Sequence, residues 1–169
     1  MRTPICTFDA MNGILCPQCE SKLDSGKLTK TDVEAAIKLV NLSQKIPQIE
    51  KFTLKSCQKS SGNYVLYLSS SDIMTVRQSR ELYRLLQGEF PGKIWLIEES
   101  AADKKFIEDM FFPIRILTIN HVWVPGCIQK TKVIVSGKRT PRFPIDTDKI
   151  VSIAKDLRKI DLTVEFERK

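Results

Sequence analysis

The chain is poor in histidine, and this scarcity restricts the chemistry that it can perform. His121 is the only histidine among 169 residues. A serine triad or a cysteine–histidine dyad would have to use that one side chain. The sequence also lacks a G-x-S-x-G elbow, a Walker loop and a dinucleotide-binding glycine fingerprint. These absences argue against an enzyme, so we expect no catalytic residue and no small-molecule substrate.

Long apolar segments are missing as well. No run approaches the roughly 18 residues that a membrane span requires. The first ten residues, MRTPICTFDA, lack the apolar region of a signal peptide. We therefore expect no membrane association and a cytoplasmic location. The cysteine count is five, an odd number, and three of the five lie within the first 19 residues. In a reducing compartment this clustering indicates metal binding rather than disulfides.

Residues 1–27 predict a small metal-binding module. They contain little apolar material, so a fold there needs a covalent or metal cross-link. Cys16 and Cys19 have the two-residue spacing with which two thiolates bind one ion, and Cys6 lies within reach of a short hairpin. We favour a structural Zn²⁺ ion. A redox pair, an empty thiol cluster and a chance arrangement are the alternatives.

The fourth ligand is less clearly indicated, because a second complete cysteine pair is absent. Asp9 follows Cys6 by three residues, and zinc accepts carboxylate oxygen, so we assign Asp9. An aspartate that caps a turn is the equal alternative. His121 alternates within a strand pattern, and Cys57 and Cys127 have the surroundings of structural residues. A zinc-dependent enzyme is a distant alternative, because the cysteine pair lacks the signature of a deaminase.

The balance of charge favours an acidic partner. Lysine and arginine number 27 against 20 aspartates and glutamates, which gives a net charge of +7 and an isoelectric point near 9.2. Such a chain attracts RNA, DNA or an acidic protein surface, although many soluble proteins are equally basic. With 42% hydrophobic and 28% charged residues, the composition predicts a folded protein.

In the first half of the chain, the patterns predict a helix, a hairpin, a second helix and a strand. The residues Thr31 to Glu34 resemble a capping box, and the helix that they open ends before Pro47. The hairpin pairs a strand near Phe52–Ser56 with Tyr64–Leu68. One amphipathic helix follows from about residue 69 to 88, with Ile73, Val76, Tyr83 and Leu86 facing inward, and then the buried strand Ile94–Ile97.

The second half repeats this order. We predict a helix over Asp103–Phe112, strands over Ile114–Val124 and Lys130–Ser136, a helix over Asp146–Lys159 and a last strand from Leu162 to Phe166. Both halves therefore read helix–strand–strand–helix–strand. The fold class is α+β, with domains at residues 1–27, 28–100 and 101–169.

Two groups of basic residues are candidate contacts for nucleic acid. Arg77, Arg80 and Arg84 fall three and four residues apart on one face of the predicted second helix. A solvated helix face of no special function would have the same pattern. The second group lies on a strand and the loop after it, and comprises Lys130, Lys132, Lys138, Arg139 and Arg142. Trp95 and Trp123 are predicted to lie in the core rather than to stack on bases.

Residues 30 to 169 resemble a tandem pair of K-homology (KH) domains of the prokaryotic type. The order of elements in both halves carries this resemblance. Two stretches, Phe112–Pro125 and Lys155–Phe166, are also similar to segments of the second KH unit in small archaeal NusA-like proteins. The resemblance implies an RNA-associated transcription elongation or termination factor. Such a protein binds single-stranded RNA, RNA polymerase or both, without catalysis.

The chain departs from the KH pattern at the loop that grips nucleic acid. KH domains use a G-x-x-G loop between two helices. The corresponding stretches here are expected near Met74–Gln78 and Pro144–Asp148, and neither contains glycine. If RNA binds to the first unit, Arg77 and Arg80 are the residues that could replace the loop. The second hypothesis is therefore a protein-interaction scaffold of degenerate KH units that docks on RNA polymerase, the ribosome or another factor.

Overall fold

The chain folds into two compact units, Met1–Ser100 (unit 1) and Ala101–Lys169 (unit 2). The computed structural model describes residues 1–125, 128–138, 140 and 143–167, and only the backbone of Ile128. Within these ranges there are seven α-helices and two separate three-stranded sheets. The predicted α+β class is confirmed. None of the helices in the described ranges has the length and hydropathy needed to cross a lipid bilayer.

Unit 1 places two short helices before a helix, a hairpin, two further helices and a strand. The elements are α1 (Thr7–Asn12), α2 (Pro17–Asp24), α3 (Lys30–Lys45), β1 (Leu54–Ser60), β2 (Asn63–Leu68), α4 (Ser70–Gln78), α5 (Arg80–Gly88) and β3 (Ile94–Glu98). A 3₁₀ turn at Pro47–Lys51 connects α3 to β1. Because β2 and β3 run parallel, the chain must cross over between them, and α4 and α5 form that crossover.

The sheet of unit 1 has the order β1-β2-β3, with β1 antiparallel to β2. Ser61 and Gly62 both have positive φ, as a tight hairpin turn between twisted strands requires. Gly92, in the segment before β3, lies directly against this turn. A Cβ atom at Gly92 would fall 1.8 Å from the carbonyl oxygen of Gly62, so the backbones meet too closely for any side chain.

Aspartates at the third position of two helices fix β1 in unit 1. The capping box of α3 is formed by Thr29 and Asp32, two residues before the predicted start at Thr31. Asp32 also accepts a hydrogen bond from the Cys57 amide at 2.6 Å. In α4, Asp72 accepts from the Thr53 amide at 2.8 Å and from the Ser69 hydroxyl. Both buried carboxylates therefore satisfy amides of the first strand or of the residue before it.

The single helix predicted from about residue 69 to 88 is two helices. Ser79 has extended backbone angles, ends α4 and caps α5 by accepting a hydrogen bond from the Leu82 amide at 3.2 Å. The break changes the helical phase. Leu82 is buried and Tyr83 is 40% exposed, whereas the unbroken pattern placed Tyr83 inward. The stretch Met74–Gln78, expected to be a loop, is helical.

Unit 2 has the same strand order as unit 1. Its elements are α6 (Asp103–Phe111), β4 (Ile116–Val124), β5 (Ile128–Val135), α7 (Thr147–Arg158) and β6 (Leu162–Phe166). The sheet order is β4-β5-β6, antiparallel and then parallel. All five elements were predicted, and none of their bounds differs by more than two residues. The core of the unit is formed by residues from α6, β5, α7, the start of β6 and the segment before it: Phe106, Ile107, Met110, Phe111, Val133, Val135, Ile150, Ile153, Ala154, Ile160 and Leu162.

The edge strand β4 contributes nothing that is fully buried. Its nine residues are all exposed or half-buried. Trp123 is 67% exposed, so its predicted place in the core is wrong, whereas Trp95 in β3 is buried at 9% exposure. An edge strand has a neighbour on one side only, and apolar composition alone does not provide a second layer to cover it.

Candidate metal centre and basic surfaces

Two short helices begin at the predicted metal ligands. Cys6 is the N-cap of α1, and Asp9 lies in the first turn of that helix. Cys16 is the N-cap of α2, Pro17 occupies the first turn, and Cys19 follows. Each ligand pair therefore spans the start of one helix with the same three-residue offset. Gly13 ends α1 in a left-handed conformation, which turns the chain back so that the two helix starts can meet.

The ligand atoms of Cys6, Asp9, Cys16 and Cys19 all lie within 4.8 Å of one another. We call these four residues the cysteine cluster. Three sulfurs and one carboxylate oxygen at such spacing can hold a single cation, and four ligands match the closed coordination of structural zinc sites. The structure thus brings together the four residues that were assigned from spacing. It does not identify the metal.

The hydrogen bonds of Asp9 leave one oxygen for a cation. Asp9 is fully buried. Its Oδ2 atom accepts a hydrogen bond from the Cys16 amide at 2.9 Å. Its Oδ1 atom is buried and has no hydrogen-bond partner in the described structure. A buried carboxylate oxygen without a partner is costly, and a bound cation removes that cost. Asp9 therefore caps the turn and fits a metal at the same time, which combines the two roles that the sequence left open.

The metal-free cluster favours protonated thiols. Burial, assisted by the nearby Asp9 carboxylate, raises the pKa of Cys19 to about 12. The pKa of Cys6 is also raised, chiefly by the same carboxylate. The Cys6 thiol and the Cys16 amide beside it hold the pKa of Asp9 well below its usual range. A bound cation would lower the pKa of the thiols, because it stabilises thiolates as ligands.

The segment that carries the cluster contacts the rest of unit 1 on two sides. Helix α1 packs on α3, and Ile5, Ala10 and Cys19 belong to the hydrophobic core that α3 and the sheet share. Arg2 pairs with Thr53 next to β1, through the bonds Arg2 N to Phe52 O and Leu54 N to Arg2 O, both 2.9 Å. Loss of the metal would therefore disturb contacts with α3 and with β1.

Three large apolar side chains around the cluster face solvent. Phe8 is 72% exposed, Met11 54% and Ile14 74%. Phe8 and Met11 are three residues apart on α1, and Ile14 follows its C-cap. We call these three the apolar patch. The apolar patch was not predicted, because whether Phe8 and Met11 face inward depends on how the short helix α1 packs on α3.

The three candidate arginines do not form one row. Because the helix breaks at Ser79, Arg77 lies in the last turn of α4, whereas Arg80 and Arg84 lie one turn apart on α5. Arg80 and Arg84 are exposed, and no ion pair involves either of them within the described residues. Arg77 is half-buried and has an interaction of its own. The continuous positive stripe predicted for one helix face is therefore absent, and its exposed part consists of Arg80 and Arg84.

In unit 2, two of the candidate lysines are paired with acids. Lys132 Nζ lies 2.7 Å from Glu165 Oε1 across the parallel β5–β6 pair, and Lys130 Nζ lies 3.7 Å from Asp161 Oδ2. These contacts reduce the positive field of that strand. Lys138 is exposed. Arg139, Arg142 and Cys127, which the sequence analysis also considered, lie outside the described residues.

An open polar cleft of about 190 Å³ lies in unit 2 and contains the single histidine. His121 Nδ1 lies 3.2 Å from the Thr131 hydroxyl on the neighbouring strand. The other side is formed by the end of α7 and the residues after it. Its lining residues are Asp103, His121, Gln129, Thr131, Arg158, Lys159, Ile160 and Asp161. This cleft was not predicted, because its walls come from segments 8 to 58 residues apart.

Comparisons with known proteins add a weak structural similarity. No protein-family model matches the chain, and no curated protein sequence matches it. Among solved structures, the chain is similar to one described as "Crystal structure of APE1850". The TM-score is 0.45 at 14% sequence identity, over 77% of this chain and 95% of the other. At that level the similarity does not carry an argument about function.

Proposed function

We propose that this protein binds single-stranded RNA through α5 of unit 1. The observation that carries the proposal is the pair of exposed arginines, Arg80 and Arg84, one helical turn apart and without ionic partners in the described structure. They belong to a chain of net charge +7. Two guanidinium groups at this spacing can contact neighbouring phosphates of a nucleic-acid backbone and release its counterions.

The biological role that we propose is that of an RNA-associated transcription elongation or termination factor of the NusA-like kind. It would act in the cytoplasm near RNA polymerase, without catalysis. The repeated order of strands supports two KH-like units, since both sheets pair antiparallel and then parallel. The glycine-free junctions of α4–α5 and of Pro144–Asp148 mean that side chains, rather than a G-x-x-G backbone, must hold the RNA.

The cysteine cluster gives the protein a structural Zn²⁺ ion in this proposal. Three sulfurs, one carboxylate oxygen and the buried Oδ1 atom of Asp9 support a closed four-ligand site. Such a site supplies folding stability and leaves no position for a reacting water. Metal analysis of freshly purified protein should give about one zinc per chain, and a content below about half an equivalent would contradict the assignment.

RNA binding can be tested by fluorescence anisotropy with a labelled single-stranded oligonucleotide of about 12 nucleotides. We expect binding that weakens steeply as salt increases. Replacing Arg80 and Arg84 together with glutamine should lower the affinity. The slope of log K against log salt should fall by about 1.4, because each lost phosphate contact on a single strand removes ~0.7.

The matched control is the double variant Lys130→Gln and Lys132→Gln. These lysines are already neutralised by Asp161 and Glu165, so the salt slope should change little. Absence of binding even at low salt would refute the RNA proposal. If both double variants weakened RNA binding equally, binding would depend on the overall positive charge of the protein rather than on a contact with α5.

The second candidate function is docking on a protein partner, and the apolar patch favours it. Phe8, Met11 and Ile14 are all more than half exposed on a segment that has no excess of positive charge. Solvent-exposed apolar groups of this kind mark protein contacts. Purified RNA polymerase or ribosomes should bind the wild type and lose binding when Phe8 and Ile14 are replaced by serine, and should be indifferent to Arg80 and Arg84.

A further inference from the structure

An exposed tryptophan stands beside the cleft of unit 2. In the antiparallel pair of β4 and β5, Trp123 is opposite Gln129, and His121 is opposite Thr131. Residues two apart on a strand point to the same face, and cross-strand partners share that face. Trp123 therefore lies on the cleft side of the sheet, next to Gln129, which lines the cleft. At 67% exposure, most of its indole surface is available to a ligand.

The end of α7 supplies two cations to the cleft. Arg158 forms an ion pair with Asp103 at 3.2 Å and lies over the Phe106 ring at 4.8 Å, so its charge is already matched. Lys159, in a left-handed conformation after α7, is exposed, and its ammonium donates a hydrogen bond to the Asp156 carbonyl at 3.2 Å. Because no carboxylate pairs with Lys159 in the described structure, Lys159 is the cation that a ligand can use.

The lining matches the chemistry of an unstacked nucleotide. The indole of Trp123 offers a stacking surface, which is sequence-tolerant because every base has a π-face. The Gln129 amide, the His121 imidazole and the Asp161 carboxylate offer donors and acceptors for a base edge. Since His121 Nδ1 contacts the Thr131 hydroxyl, Nε2 is the ring nitrogen left for a ligand. Lys159, which has no carboxylate partner in the described structure, suits a phosphate at the rim.

We infer that this cleft binds one base of single-stranded RNA, with Trp123 stacked on the base and the phosphate directed to Lys159. The inference rests on the proposed RNA-binding function and adds a second contact point in unit 2. It assigns that contact to β4 and α7 rather than to the loop at Pro144–Asp148. The site recognises an unpaired base of any kind. It stabilises the RNA complex by stacking, whereas α5 stabilises it through charge.

Tryptophan emission tests the inference directly. The chain has two tryptophans, and Trp95 is buried, so a change in emission on adding an unlabelled RNA of about 12 nucleotides should come from Trp123. We expect saturable quenching in the wild type and none in Trp123→Phe. In anisotropy, Trp123→Ala should bind about tenfold more weakly, within the range for removing a stacking aromatic. Trp123→Phe should lose less, because it keeps a ring.

The salt dependence separates this site from α5. Trp123→Ala removes no charge, so its salt slope should equal that of the wild type, whereas the Arg80 and Arg84 variant should have a smaller slope. Phe8→Ala is the matched control, since it removes an equally exposed aromatic from unit 1 and should leave affinity and quenching unchanged. Circular dichroism checks that each variant is folded.

Each contrary result has a distinct meaning. RNA binding that depends on Arg80 and Arg84, with no quenching and no loss in Trp123→Ala, overturns the cleft and leaves the proposed function standing. No RNA binding at all overturns both. If uridine or adenosine monophosphate quenches Trp123 as strongly as the oligonucleotide does at equal concentration, the site takes free nucleotides, and the assignment to an RNA strand is wrong.

Discussion

The two units share a strand order but differ in what they bury. In unit 1 every residue of the middle strand β2 is buried. In unit 2, among the described side chains of the middle strand β5, from Gln129 to Val135, the buried ones are at the alternate positions Thr131, Val133 and Val135, and the edge strand β4 has no fully buried residue. One topology can therefore support a two-sided core and a sheet with an accessible face. Connection rules determine the order of strands, whereas the layers that pack on the sheet determine burial.

The units also differ in how they use positive charge. By sequence, the first 100 residues carry 13 basic and 11 acidic residues, and the remainder carries 14 and 9. Yet Arg80 and Arg84, which are exposed and have no ion pair in the described structure, lie on α5 of the less basic unit, while Lys130 and Lys132 of the more basic unit are paired. Net charge therefore does not indicate which surface is available to RNA. Pairing between neighbouring strands decides it.

The largest difference in stability between the two units is expected when the cluster cysteine Cys19 is replaced. We expect Cys19→Ser to abolish metal binding and to lower the unfolding free energy of unit 1 by about 3 kcal/mol or more, because a structural metal contributes directly to folding. Unit 2 should be unaffected. Hydrogen exchange of the two units, together with metal content, measures both effects.

Cys57→Ser is the control for that change. Cys57 is equally buried, at 1% exposure, and lies outside the cluster. It should retain full metal content and lose about 1 to 2 kcal/mol, the cost of burying a hydroxyl. Equal metal loss in both variants would show that metal content follows the stability of unit 1 rather than the four assigned ligands.

A second comparison uses two leucines with opposite environments. Leu66 in β2 has no exposure, whereas Leu117 in β4 is 42% exposed. Leu66→Ala should cost about 2 to 5 kcal/mol through lost burial and a cavity. Leu117→Ala should cost less than about 1 kcal/mol. Chemical denaturation with Trp95 emission as the readout, in a Trp123→Phe background, measures the first, and hydrogen exchange in β5 the second. Similar losses would contradict the difference in burial.

The approach of Gly92 to the hairpin turn gives a third test. Gly92→Ala should cost about 1 to 3 kcal/mol, because its methyl group meets the Gly62 carbonyl at 1.8 Å and the backbone must shift. Gly88→Ala is the matched variant: it has no atom within 4 Å of the added group and lies in the last position of α5. It should be neutral or stabilise by up to about 1 kcal/mol. Thermal unfolding of both variants measures this difference in stability.

The smallest effect is expected for the strand lysines. Lys132→Gln removes a surface ion pair with Glu165, and such pairs contribute about 0 to 1 kcal/mol. Its unfolding midpoint should therefore remain within about 4 °C of the wild type. At about 0.5 M salt the difference between the two midpoints should be smaller still, because salt screens the ion pair. A large destabilisation would mean that the Lys132–Glu165 pair fixes the register of β5 and β6.

Local features of the sequence predicted much of this structure. The three-residue offset of Cys16 and Cys19, and its counterpart in Cys6 and Asp9, led to the four residues that the fold brings together. Strands such as Ile94–Glu98 and Leu162–Phe166 were found within one residue, because short apolar or alternating runs are bounded by glycine, proline or charge. The break at Ser79 was missed, although an N-cap serine with a glutamate, Glu81, in the first turn is a signal for a helix start.

What the sequence determined by itself was the set of chemical groups and their spacing along the chain: a cysteine cluster, a basic excess, one histidine and a repeated order of elements. Spacing within one turn of helix or one strand is a local property, so it can be read without the fold. The tertiary structure alone decided that Asp9 keeps a buried oxygen without a partner, that Lys130 and Lys132 meet acids, and that Trp123 faces solvent beside a cleft. Each of these depends on contacts with another element, and burial and ion pairing are determined only when distant segments pack.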